Sequence, residues 1–294
     1  MPSSPISSPR EQGRRRQRLR VAIRASGAYD LFGETFLLLM IEPALEGPAH
    51  RMRDERLLTT PTNESALWRD GFGNPQRRLV APAGPFTFDF AGTVEIAPNR
   101  AVPDDALEHA ARDLPAETLV YTLPSRYCQS DRLSRMALSE FGDLPRGGGR
   151  VRAVADWIRT HVEYRYGTTD AMTSAYDTAV QRVGVCRDFA HLVIAFCRAL
   201  GIPARYVSGY ALGLTPPDFH GYAQVYVGNA WHNVDATFAG VRPALVPIAI
   251  GRDAADVAML TLWGEGAFRE QNIQVSESDP DTSEDTVQQS AEPA

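Results

Sequence analysis

Gly184-Val185-Cys186-Arg187-Asp188-Phe189-Ala190-His191-Leu192 begins the stretch that decides the fold of this chain. Phe189, Leu192, Val193, Phe196, Cys197 and Leu200 recur at i, i+3, i+4, i+7, i+8 and i+11, the spacing of one buried helix face. Gly201 stops that helix and Pro203 forbids its continuation. Cys186 falls in the first turn, where unpaired N–H groups and the positive end of the dipole stabilise a thiolate. Cys197 lies within the apolar stripe and reads as a packing residue. Position thus separates a cysteine placed to react from one placed to pack.

A reacting thiolate needs a base and a group to orient it. Beyond the helix, Ala204–Leu212, Tyr222–Val227 and Ala230–Asp235 read as strands, with Asn229-Ala230 after Gly228 as the short turn joining the last two. Such an antiparallel pair brings His220, at the start of one strand, near Asp235, at the end of the next. There a carboxylate can hold an imidazole in the required tautomer. Alternation sets His220, Tyr222 and Gln224 on one face and turns His232 the other way.

Three blocks of this region resemble the transglutaminase-like superfamily, in its order. They are the run around Cys186, then Gly201-Ile202-Pro203-Ala204-Arg205-Tyr206-Val207-Ser208-Gly209-Tyr210, then Asp235-Ala236-Thr237 after a Trp231 strand. Weaker likeness reaches Tyr164-Arg165-Tyr166 and, far upstream, Asp70-Gly71-Phe72-Gly73-Asn74, so that it covers most of residues 19–265. The resemblance implies an α+β fold of the papain-like/transglutaminase-like kind, with the nucleophile helix packed on an antiparallel sheet and a small all-β domain before it. It also implies Cys186 as nucleophile, His220 as general base and acid, and Asp235 as the orienting carboxylate. Gln224 stands where the family commonly has an acid, which leaves the triad intact and substrate preference open.

Working outward, residues 1–18 are rich in Ser, Pro and Arg and read as a disordered basic arm. Leu19-Arg20-Val21-Ala22-Ile23, Phe36–Ile41 and Phe86-Thr87-Phe88-Asp89-Phe90 carry strand signals with turn formers between them, so 19–97 is expected to be a β-sandwich-like domain. Residues 98–271 form the expected catalytic domain, with helices near 105–112, 130–141 and 150–162, and 272–294 an acidic disordered tail. Gly147-Gly148-Gly149 lacks the Lys-Ser/Thr of a phosphate cradle. Ser208 lacks the strand-to-helix elbow of a serine hydrolase.

The net charge of −6 is mild and unevenly placed, about +5 in residues 1–20, −6 in residues 272–294 and −5 over the rest, so nothing in it predicts a nucleic-acid partner. No apolar run is long enough to span a membrane. Three cysteines are too few and too odd for a disulfide scaffold and lack metal spacing with the six histidines, so a reduced cytoplasm is the expected compartment. No metal or organic cofactor is called for, and no acidic loop has calcium spacing.

The chemistry implied is attack by Cys186 on a peptide or carboxamide carbonyl of a peptide or protein substrate, a glutamine side chain included. The oxyanion is held by the Cys186 N–H and a second donor, with Tyr222 or Gln224 as candidates. Every basic residue is Arg, so the chain has no Lys side chain with which to cross-link itself. A bacterial-type composition and the lack of a secretion signal lean the reading to hydrolysis over amine transfer. The alternative is a catalytically silent peptide-binding module on the same fold. Asp188 and His191 are expected to support the site, and Trp231 to pack. Oligomeric state is not legible.

Overall fold

The computed structural model describes residues 18–44 and 51–278. The expected arm at 1–18, apart from Arg18, and the tail beyond Ser278 lie outside the described residues.

Six strands come first: β1 (Leu19–Leu31), β2 (Thr35–Leu39), β3 (Arg51–Thr60), β4 (Ala66–Arg69), β5 (Pro75–Ala81) and β6 (Gly84–Ile96). The alternation read at Leu19–Ile23 continues through all thirteen residues of β1, burying Val21, Ile23, Ala25 and Leu31. In β6 the same period buries Phe86, Phe88, Phe90, Val94 and Ile96. These residues share one core with Leu37, Leu39, Leu79 and Ala81 of β2 and β5.

The second part holds α1 (Ser130–Phe141), α2 (Gly148–His161), β7 (Glu163–Tyr164), α3 (Ala175–Gln181), β8 (Val183–Gly184), α4 (Cys186–Ala199), β9 (Ala204–Ala211), β10 (His220–Val227), β11 (Ala230–Val234) and β12 (Leu245–Gly251). The chain then returns to the first part with β13 (Leu260–Trp263) and β14 (Gly266–Glu277). The sandwich is therefore two four-stranded antiparallel sheets, β14-β1-β6-β3 and β13-β2-β5-β4. This corrects the expected boundary at 271/272. Asn272 to Glu277 are strand rather than tail, because they pair with Val21–Ser26 and bury Ile273.

The second part is built on the antiparallel sheet β11-β10-β9-β12, with α4 packed on β9 and β10 and enclosed by α1, α2 and α3. Enclosure goes further than a single stripe suggests, since every residue from Phe189 to Arg198 is buried. Arg198 survives there because its guanidinium donates to the carbonyls of Ala204, Leu123 and Arg252 and to Ser125 Oγ.

Two further expectations need correction. Residues 105–112 do not form a helix and show only a 3₁₀ turn at Ala111–Asp113. Their carbonyls serve other elements, with Ala106 O accepting Gly148 N–H and Leu107 O accepting Gly228 N–H. The β10–β11 turn is Gly228-Asn229, both at positive φ, and Ala230 already pairs with Val227.

The two parts are joined by specific hydrogen bonds. The Asn74 side chain acts like a strand residue toward Ile250 of β12, donating to its carbonyl at 2.8 Å and accepting its N–H at 2.7 Å. Tyr210 of β9 donates to Ile41 O at 2.7 Å. Among the described residues no helix is long and apolar enough to cross a membrane.

Candidate active site

Cys186 is the first residue of α4 and half-buried, whereas Cys128 and Cys197 are fully buried. The turn before it is fixed by Asp188, whose carboxylate accepts the Val185 N–H at 2.9 Å and an Arg187 fork. That bond satisfies one orphan donor of the helix start and sets Cys186 at its mouth.

His220 opens β10 and Asp235 follows β11, two register steps apart on antiparallel neighbours. His220 Nε2 lies 2.8 Å from Asp235 Oδ2. The other ring nitrogen, Nδ1, is buried without a partner of good hydrogen-bond geometry. The Cys186 thiol nonetheless lies close enough to that ring to interact by hydrogen bonding and by charge. A ring nitrogen near a sulfur at relaxed geometry still feels its charge. The structure thus brings Cys186, His220 and Asp235 together.

Burial pushes the His220 imidazole down, but the bonds to Asp235 and Cys186 outweigh it and the pKa is pushed up to about 9. Burial likewise resists ionisation of Asp235, while His220, Thr237 and Arg242 hold its carboxyl well below the usual carboxylate range. Burial pushes the Cys128 and Cys197 thiols up to about 12 each, which removes both as nucleophiles near neutral pH.

The two candidate oxyanion donors are placed differently. Both ends of the Gln224 amide are committed, the oxygen accepting from Arg205 and the nitrogen donating to Asn233. The Tyr222 hydroxyl is buried without a partner, and its ring packs among Val207, Ala211 and Leu245, a cluster separate from the core around α4. Gln224 is thus held by its strand neighbours, while the Tyr222 ring lies 6.2 Å from the His220 ring. Tyr164 lies nearer Cys186 and interacts with its charge. It pairs with Gly184, two residues before Cys186, and its ring packs at 5.7 Å on Phe189 and 5.4 Å on Tyr166. Burial and then the Cys186 charge raise its pKa, so the hydroxyl keeps its proton.

His191 sits under the site as expected, stacked on Tyr127 at 5.2 Å and accepting Ala254 N–H with Nε2. Burial holds it neutral. Trp231 packs against Tyr121 and Tyr226 and carries Arg205 over its ring.

Sequence reasoning missed three participants. Arg242 donates to Asp235 Oδ2 at 2.6 Å, and Thr237 bonds Oδ1 through N–H and hydroxyl. The Asp235-Ala236-Thr237 block holds the signal for Thr237, since a hydroxyl two residues past an Asp forms a local turn. Nothing in spacing marks Arg242. Gln271 of β14 donates to Asp218 at 2.6 Å, so the sandwich touches the loop that leads into His220. No cluster of three or more His, Cys, Asp or Glu capable of holding a metal occurs among the described residues.

The family model of the transglutaminase-like superfamily matches residues 139–236. Over 91% of its length the chain is 37% identical to a Cytophaga hutchinsonii protein provisionally described as a cysteine protease, covering 93% of that chain with a TM-score of 0.84. An uncharacterized protein of Mycobacterium leprae (strain TN) is 36% identical over 118 residues, 37% of this chain and 42% of its own length. One of Mycobacterium tuberculosis (strain ATCC 25618 / H37Rv) is 35% identical over 125 residues, 37% of this chain and 40% of its own. The chain therefore matches less than half the length of these two curated relatives.

Proposed function

Because the chain belongs to the transglutaminase-like superfamily, we propose that it is a cysteine acyl-transfer enzyme that hydrolyses peptide or carboxamide bonds. The observation that carries this reading is the buried imidazole held between Asp235 at 2.8 Å and the Cys186 thiol at the mouth of α4.

Cys186 Sγ, having given its proton to His220 Nδ1, adds to the carbonyl carbon. The oxyanion is met by the Cys186 N–H at the helix start. Collapse breaks the C–N bond as His220 returns the proton to the leaving amine, and a thioester remains. Water then attacks while His220 takes its proton, and the acid and the thiol are released. Asp235 keeps Nε2–H as donor throughout, which leaves Nδ1 free for both transfers.

The Lys-free sequence removes the chain's own lysine side chains as acyl acceptors. The free cysteines support a reducing compartment such as the cytoplasm, which fractionation of the native host tests.

The test is the rate of Cys186 alkylation by iodoacetamide against pH, in wild type and His220→Ala. Fast reaction well below the free-thiol pKa of about 8.5, slowed by the substitution, supports the enzyme. Slow alkylation indifferent to His220 sinks it and leaves a peptide-binding module. Product analysis of a glutamine-containing peptide, with and without added amine, then separates hydrolysis from transfer.

A further inference from the structure

The Asp235 carboxylate serves two cations, and only one of them belongs to the machinery described so far. Oδ2 receives His220 Nε2 at 2.8 Å and Arg242 Nε at 2.6 Å, so the same oxygen is divided between an imidazole and a guanidinium. Oδ1 is filled by Thr237 N–H at 3.0 Å and its hydroxyl at 2.6 Å. Side-chain exposure is 0% for His220, 6% for Asp235 and 5% for Arg242, so solvent screens little of this. Arg242 is itself fixed, with its guanidinium over the Phe238 ring at 4.5 Å and a bond to Gly213 O at 3.4 Å.

We propose that Arg242 is a positioning residue of the triad, one that takes up part of the Asp235 charge and so caps the basicity of His220. The proposal rests on the reading of Cys186, His220 and Asp235 as the reacting set.

The charge balance gives the reason. With Cys186 as thiolate and His220 as imidazolium, the buried set of Cys186, His220, Asp235 and Arg242 is neutral. Without Arg242 it carries one uncompensated negative charge, all of which bears on the imidazolium. A ring held too strongly in its charged form is a poorer acid for the leaving amine and a poorer base for the incoming water. The guanidinium therefore lets the carboxylate orient His220 without locking the proton onto it. The other groups near the ring are the Cys186 thiol from α4, Asp218 from the preceding loop and Tyr222 at 6.2 Å on its own strand. None of them supplies a positive charge.

Arg242 also lines a cavity of about 230 Å³ with Phe238, Asn233, Arg100 and Arg152. The place of the guanidinium can thus be reached from outside once the side chain is shortened.

The experiment follows the His220 ring by NMR titration in the full chain, assigned among six histidines by His220→Asn. Wild type is compared with Arg242→Met, Arg242→Gln and Arg242→Lys. The wild-type ring titrates near 9. In the neutral variants its midpoint is expected to rise by about one unit. In Arg242→Lys, which keeps the charge and loses the planar guanidinium, it stays within about a third of that shift. Millimolar methylguanidinium entering the space vacated in Arg242→Ala brings the midpoint of that variant back toward wild type. An unmoved or lowered midpoint in either neutral variant, with circular dichroism showing a folded chain, overturns the proposal. Two neutral variants of different polarity guard against loss of one to misfolding. Failure of the enzyme reading itself is seen separately, as wild-type Cys186 alkylation that ignores His220.

Discussion

Raising the pH from 6 to 9.5 removes a proton that the folded chain holds and the unfolded chain has already lost. His220 titrates near 9 when folded, against 6.5 for an ordinary histidine. The sign follows from that rise: the stabilisation is complete below pH 6.5 and is lost as pH climbs through 9. A rise of about 2.5 units at about 1.4 kcal/mol per unit makes the effect about 3 kcal/mol. Asp235 feels the same bond from the other side, and its contribution is lost only as acid protonates it, so it is not counted again. The assay is urea unfolding at pH 6 and 9.5 for wild type and His220→Gln, whose amide cannot titrate. The stability advantage of wild type over the variant is expected to shrink by about 3 kcal/mol, some 6–10 °C in Tm. Glu55, pushed up to about 7 chiefly by its bond to Glu42, titrates in both proteins and cancels. Cys128 and Cys197, pushed up to about 12 when folded, ionise on unfolding at high pH in both proteins and cancel in the same way. Wild-type and variant curves that run parallel across this range refute the reasoning.

In the native chain iodoacetamide is expected to label Cys186 alone, and all three cysteines in denaturant, as intact-mass spectrometry reads directly. Gly221→Ala would drive a methyl into Tyr206 Oη, directly after His220. A loss of about 1–3 kcal/mol with slowed Cys186 alkylation is expected, and unchanged melting refutes the clash. Arg198→Met strands the carbonyls of Ala204, Leu123 and Arg252, and a cost of about 3 kcal/mol or more is expected by urea unfolding. Asn74→Ala breaks both bonds to Ile250 and is expected to cost about 2 kcal/mol, with faster hydrogen exchange at the Ile250 amide.

Strong periodicity was legible and weak periodicity was not. The i, i+3, i+4 stripe after Cys186 specifies α4, and the alternation at Phe86–Phe90 specifies β6. The pairing of His220 with Asp235 follows from a hairpin whose turn residues fix the register. At 105–112 helical spacing misled, because long-range partners took carbonyls that a helix would have used. The Ser174…Asp177 capping box that starts α3 is a local signal present in the sequence. Arg242 had no local signal, since a guanidinium seven residues past Asp235 meets it only through tertiary folding. The commitment of Gln224 to Arg205 and Asn233 is likewise a property of three neighbouring strands.

Strands β13 and β14 have a consequence for how this molecule is made. Residues 260–277 supply an edge strand to each sheet of a sandwich whose other strands lie within residues 19–96. A ribosome delivers those six strands early, yet β1 and β2 each wait for a partner synthesised some two hundred residues later. Until then both present unpaired edges, β1 over thirteen residues, the kind of surface that recruits a second nascent chain. Any folding of the intervening helices and of the sheet bearing His220 before residue 260 is made takes place beside an open sandwich. The last strands to emerge close the sandwich and, through Gln271 and Asp218, fasten the loop ahead of His220 in the same event. A chain cut short before residue 260 would then lose its amino-terminal half as surely as its carboxyl-terminal one.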